Sequence, residues 1–192
     1  LLKKNNWQVE AYYGQDALEK QLKKDKSPKV IHLATHGFFM QDLKLTEIES
    51  QTGLNEYDRN PLFRSGLLFA GASNTHEGFE NDGVLTAYEA MNLYLDDTEL
   101  IVLSACETAL GDVKNGEGVY GLQRALVVAG AQKLIMSLWK VNDEATMSLM
   151  KLFYTNWTSG GDLYESLQKA QIQLMEEHEE PYYWGGFIMI GR

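Results

Sequence analysis

The chain has 192 residues, 44% of them hydrophobic, and a formal net charge of −10. That is apolar material for one sizeable core, and the acidic balance argues against a nucleic-acid phosphate backbone as a partner. A single cysteine excludes an internal disulfide framework and points to a reducing compartment, the cytoplasm. No apolar run reaches the roughly 18 residues of a membrane span, and no signal-peptide pattern is visible.

The chain starts Leu1-Leu-Lys-Lys, without methionine, at what reads as the run-in to a strand. The expectation is a piece of a longer polypeptide, cut upstream of an element whose partner strand is missing. Trp7 to Tyr13 alternates as a strand does, with Gly14 ending it. Gln15 to Lys24 then reads as an amphipathic helix with Ala17, Leu18 and Leu22 on its apolar side. After Pro28, Val30 to Ala34 is the next strand. Residues 40–65 are polar and longer than a plain connection, so they are expected to serve function or to be disordered.

Gly66 to Ala70 reads as a short buried strand, and Gly71 to Asp82 as another polar loop. Thr86 to Leu93 reads as a helix with Thr86 as its cap and Glu89 at capping-box spacing. Glu99 to Ser104 is the central strand. Gly118 to Ala129 is a helix that Gly130 stops, and Lys133 to Leu138 is the fourth apolar strand. Asn142 or Asp143 caps a helix to about Trp157, and Asp162 caps another to about Glu177; the run Glu176 to Glu180 is a solvated helix end. Phe187 to Ile190 is a last short strand. Strands that alternate with helices indicate an α/β sandwich with a mostly parallel sheet.

Two stretches share one grammar. Ile101-Val-Leu-Ser-Ala-Cys106 runs from branched apolar residues into small ones and then into the only cysteine. Val30-Ile-His-Leu-Ala-Thr-His36-Gly37 does the same and ends on a histidine. Strands buried on both faces read as continuous apolar runs, and open α/β sheets gather their chemistry at the carboxyl ends of such strands. If the two strands are parallel, His36 and Cys106 emerge on one rim. A histidine beside a thiol lowers its pKa and can later protonate a leaving amine. Gly37 lets a substrate approach the backbone closely, and its amide could join that of Cys106 in an oxyanion hole. The alternative is that Cys106 is a small buried residue, as free cysteines commonly are.

Other chemistry is weaker. His32 and His36 have the i, i+4 spacing of a helical zinc pair, but on a β-branched strand they would lie about 13 Å apart, too far for one ion. His32 is expected to be a strand histidine, hydrogen-bonded within the core. Gly116-Glu-Gly118-Val-Tyr-Gly121 matches a dinucleotide fingerprint, yet it begins twelve positions after Ser104 rather than directly after the strand. Asp112 and Glu117 would also set negative charge against a pyrophosphate. The glycines are expected to shape a loop beside Cys106.

His32-Leu-Ala-Thr-His36-Gly37, Asp82-Gly83-Val-Leu-Thr-Ala, Leu103-Ser-Ala-Cys106-Glu-Thr, Gly116-Glu-Gly118-Val, Ala129-Gly-Ala and Ser137-Leu-Trp139-Lys-Val-Asn-Asp143 occur in that order. Together, from about Val30 to Gly191, they resemble the CHAT domain, the caspase-like cysteine peptidase domain often attached to TPR repeats in bacteria and related to separase. The resemblance implies a single domain over 1–192. Its fold would be a caspase-like three-layer α/β/α sandwich with a mostly parallel central sheet of about six strands. It implies His36 as catalytic histidine, Cys106 as nucleophile and the Gly37 and Cys106 amides as oxyanion hole. Peptide bonds would be hydrolysed through a thioester acyl-enzyme, with no metal or organic cofactor.

Separase has a similar Leu-Trp-x-Val-x-Asp segment whose aspartate lies in the pocket for a basic P1 side chain. By that likeness Asp143 would line the S1 pocket and favour Arg or Lys; the competing reading is that Asp143 caps its helix. The implied partners are a protein or peptide substrate and the TPR region of a parent chain or a regulatory protein, with no nucleic acid and no membrane. The other functional class left open is a non-catalytic caspase-like domain for regulation or protein interaction.

Overall fold

The computed structural model describes residues 2–24, 27–40, 60–72, 82–104 and 117–191. Among them, β1 (Val30–Leu33), β5 (Leu100–Leu103), β6 (Lys133–Ser137) and β7 (Phe187–Gly191) form a sheet in the order β1-β5-β6-β7. The first three are parallel and β7 runs antiparallel to β6. A second, antiparallel sheet joins β2 (His36–Phe39), β3 (Ser65–Leu68) and β4 (Val84–Thr86) in that order.

The helices are α1 (Glu19–Lys24), α2 (Ala87–Ala90), α3 (Glu117–Val128), α4 (Asp143–Thr158), α5 (Leu163–Glu177) and α6 (Pro181–Trp184). Side-chain alternation along β5 explains how they are layered. Ile101 and Leu103 enter a core shared with Leu122, Ala125 and Leu126 of α3 and with Leu67 and Leu85 of the small sheet. Leu100 and Val102 enter a second core with Leu149 and Phe153 of α4 and Leu167 and Leu174 of α5. All four residues of β5 are therefore buried, which is why the strand reads as an unbroken apolar run. The result is the expected three-layer α/β/α arrangement with a mostly parallel sheet.

Several details differ from the sequence reading. The main sheet has four strands among the described residues, where about six were expected. Residues 7–13 form no strand. A ladder needs a partner, and this run is held by its aromatic end instead: the Trp7 ring meets that of Trp157 at 5.2 Å, while Tyr12 and Tyr13 face solvent. The first helix is split into a 3-10 turn at Gly14–Asp16 and α1. Leu22 packs against the core as expected, but the fully buried residue of α1 is Glu19. The Glu19 carboxylate pairs with Lys23 and accepts the Gly83 amide, and Lys23 also reaches Glu89, so the network ties α1 to α2 and to the turn before β4.

The remaining local signals behave as their chemistry dictates. Thr86 Oγ1 accepts the Glu89 amide at 3.2 Å and Glu89 Oε2 accepts the Thr86 amide at 3.0 Å, a complete capping box on α2. That helix is shorter than expected, because Asn92 and Leu93 already close i→i+3 bonds to Glu89 and Ala90. Thr86→Ala removes one half of the box and is expected to lower stability by about 1 kcal/mol, read as a lower urea midpoint at unchanged m. Gly130 stops α3 at φ +115°, and a Cβ there would come within 2.7 Å of the Asp96 amide nitrogen, so both the conformation and the close approach call for glycine.

Candidate active site

Strands β1 and β5 are neighbours, parallel and in register, with Leu33 opposite Leu103. The Ser104 amide donates to the Leu33 carbonyl at 2.9 Å, so the two strands finish at one point of the rim. β6 ends beside them, and its next residue, Leu138, donates its amide to Gly186 at 2.7 Å.

His36 lies beyond β1, as expected, but it belongs to a second sheet. The chain leaves the main sheet at Ala34, and the Thr35 hydroxyl donates to the Leu68 carbonyl. His36 then opens β2 opposite Leu68, with Gly37 opposite Leu67. The histidine side chain is exposed. The turn at Ala34–Thr35 thus carries His36 off the strand but keeps it three residues from the rim position of Leu33. Cys106 lies outside the described residues, as do Asp112 and Gly116 of the glycine-rich loop. Ser104, two residues before Cys106, is the last described residue on that strand.

Asp143 and the cap of α4 separate cleanly. Asn142 is the cap: its Oδ1 accepts the amides of Glu144 at 2.9 Å and Ala145 at 3.2 Å. Asp143 is the first helical residue and its side chain is exposed, so the capping role weighed for it falls to its neighbour. The segment leading to it is braced, since Trp139 Nε1 donates to the Tyr182 carbonyl at 3.1 Å and the Tyr182 hydroxyl donates to the Lys140 carbonyl. Gly121, the third glycine of the dinucleotide-like pattern, sits inside α3, where a Cβ would come within 2.7 Å of Ser65 Oγ. Close packing of α3 on β3 accounts for it.

His32 does more than fill a strand position. Its Nε2 lies 3.0 Å from Ser104 Oγ and its Nδ1 3.1 Å from the Tyr154 hydroxyl on α4. Both ring nitrogens are therefore engaged by protein hydroxyls. The residue is not enclosed in the core, however; among the described residues β1 is the outer strand of its sheet, and His32 is partly open to solvent. Burial pushes its pKa down to about 4. Burial also pushes the Tyr154 phenol up, so that hydroxyl stays protonated. The sequence gives no signal for the Tyr154 contact, which spans 122 residues.

The sign of the resulting pH dependence is fixed. His32 binds its proton less readily when folded than the ordinary value of about 6.5 allows, so its contribution is complete above that value. It is lost progressively as pH falls from about 6.5 towards about 4. Urea midpoints across that window are expected to fall for the wild type and to fall less for His32→Gln.

No helix among the described residues is long and apolar enough to cross a membrane. The three layers, the parallel strands and the rim where β1 and β5 finish together define a caspase-like α/β domain. The CHAT domain family matches the chain over residues 1–192, and the chain belongs to that family. It is 34% identical over 110 residues to tetratricopeptide repeat protein 28 of Mus musculus and 32% identical over 110 residues to the protein of that name in Homo sapiens. Each match covers 56% of this chain and 4% of the relative, so the chain corresponds to a small part of those proteins. These relatives are mammalian, where the resemblance had suggested bacteria.

Proposed function

We propose that this domain is a cysteine endopeptidase that cuts a protein substrate with His36 and Cys106. The observation that carries the reading is the in-register parallel pairing of β1 and β5, which brings the chain segments leading to His36 and to Cys106 out at one point of the rim. Membership of the CHAT domain family supports it.

In this mechanism His36 takes the Cys106 thiol proton, and the thiolate attacks the substrate carbonyl carbon. The carbonyl π electrons move to oxygen, where the Gly37 and Cys106 amides would stabilise the oxyanion. As the C–N bond breaks, the imidazolium gives its proton to the leaving amine and a thioester remains. His36 then draws a proton from water, which attacks the thioester and releases the acid and the thiol. The mechanism needs no metal or organic cofactor. The partners are a protein or peptide substrate and a tetratricopeptide-repeat region or regulatory protein, and the expected compartment is the cytoplasm.

Asp143 is assigned to the S1 pocket for an Arg or Lys at P1. Its exposed carboxylate, freed from capping by Asn142, supports that role. Asp143→Ala is expected to reduce cleavage after Arg by on the order of 10²-fold, within the range for loss of a partner to a charged group. The fold should be unaffected. An unchanged P1 profile would remove the assignment.

The reading as a whole is tested by intact-mass labelling with a peptide acyloxymethyl ketone bearing P1 Arg, alongside a plain alkylating agent. An adduct at Cys106 that His36→Ala abolishes supports a peptidase. Alkylation by the plain reagent alone, with the peptide reagent inert on folded protein, favours the non-catalytic interaction domain.

A further inference from the structure

The His32 contacts are not explained by the strand they sit on. His32 pairs with Val102 across the parallel ladder, and Val102 belongs to the core on the α4 side. Ser104 is two residues further along the same direction, so alternation puts its hydroxyl on that face too. Tyr154, on α4, comes down onto the same ring. Three elements that are remote in sequence thus meet in one line of hydroxyl, imidazole and hydroxyl, directly at the rim where β5 ends.

Arrangements of this kind have two uses. A serine 3.0 Å from a histidine whose other nitrogen is hydrogen-bonded has the outline of an activated nucleophile. The groups do not suit that use. The imidazole is pushed down to about 4 by burial, which makes it a weak base at neutral pH. Its orienting partner is a neutral phenol, which stabilises the imidazolium that base catalysis would form far less than a carboxylate would. A neutral imidazole with one donating and one accepting nitrogen is well suited to bridging two hydroxyls in a set geometry.

We infer that His32 is a positioning residue that ties the end of β5 to α4 through Ser104 and Tyr154. The Ser104 amide is already held by Leu33, and the hydroxyl bond to His32 fixes the same residue a second time. Two anchors on one residue fix both the backbone and the side chain of Ser104 at the end of β5. The inference rests on the peptidase reading in one respect: it gives the exit of β5 a purpose, the aim of Cys106. The relay itself stands on described residues alone.

The test uses the single thiol as reporter and needs no peptidase activity. Iodoacetamide labelling of the full chain is followed from about pH 5 to 10 for wild type, Ser104→Ala, Tyr154→Phe, His32→Ala and His32→Gln. Circular dichroism confirms that each variant is folded. Ser104→Ala and Tyr154→Phe lose one hydroxyl each with little change in shape, so they report even if His32→Ala unfolds. The expected result is a rise of about one unit in the apparent thiol pKa for each of these two, seen as roughly tenfold slower labelling near pH 6. His32→Gln keeps a reach towards Ser104 and should recover part of the rate.

Profiles identical to wild type in both Ser104→Ala and Tyr154→Phe would overturn the inference, as would modification of Ser104 by a fluorophosphonate. Should peptide hydrolysis be absent while the labelling profiles still shift, the peptidase reading fails and the positioning role remains.

Discussion

His36→Ala is expected to lower kcat/KM for a peptide substrate by about 10²–10⁴-fold, the usual worth of a positioned acid–base group. The histidine serves twice, first to raise the thiolate fraction and then to protonate the leaving amine, so its loss should reach kcat and not only KM. Cys106→Ser should fall further, since a hydroxyl in that place has neither the thiol's acidity nor its nucleophilicity. Activities of the two variants within a few-fold of wild type would return the domain to a binding role. His36 begins β2 in the small sheet and its side chain is exposed, so melting temperatures should stay close to wild type.

The second large effect is on stability. Phe153 is fully buried on α4, among Leu100, Val102 and Ile135 of the sheet and Leu167 and Leu174 of α5. Its ring also meets Tyr154 at 5.0 Å and Trp157 at 6.0 Å. Phe153→Ala removes a large apolar side chain and leaves a cavity that three elements must share, at an expected cost of about 3–5 kcal/mol. For a domain whose total stability is on the order of 5–15 kcal/mol, that is a large fraction of the whole. Urea unfolding followed by circular dichroism should show the midpoint moving well down. A loss below about 1 kcal/mol would mean that α4 does not depend on this ring. Tyr154 is the next residue, so the variant should also disturb the hydroxyl relay and broaden the acid sensitivity assigned to His32.

Local chemistry made much of the fold readable. The apolar runs at Val30, Leu100 and Lys133 became strands, since a strand covered on both faces needs no polar alternation. Thr86 with Glu89, Asp162 before α5, and Gly130 after α3 marked helix ends because each meets a backbone need that few side chains can meet. Cap position between Asn142 and Asp143 was ambiguous, as both residue types can accept from the first free amides, and only geometry separates them.

What failed did so where the deciding partner was distant. Trp7 to Tyr13 has a strand's alternation but no ladder, and its tryptophan found Trp157. The strand from Val30 ends where expected, but the residues after it, His36 to Phe39, form a strand that the sequence did not announce and that pairs with β3 in another sheet. Glu19 was not among the residues assigned to the apolar side of its helix, yet it is buried, because Lys23 and the Gly83 amide supply the charge and hydrogen-bond partners that make burial tolerable.

By itself the sequence determined the layered α/β class, the ends of the longer helices and the pair His36 and Cys106 as the residues to test, since these follow from periodicity, capping and thiol chemistry within short windows. Only the tertiary structure decided that β1 and β5 are neighbours in register, that His36 belongs to a second sheet, and that His32 bridges Ser104 to Tyr154. Contacts across 72 and 122 residues depend on which elements pack together, and no local pattern carries that choice.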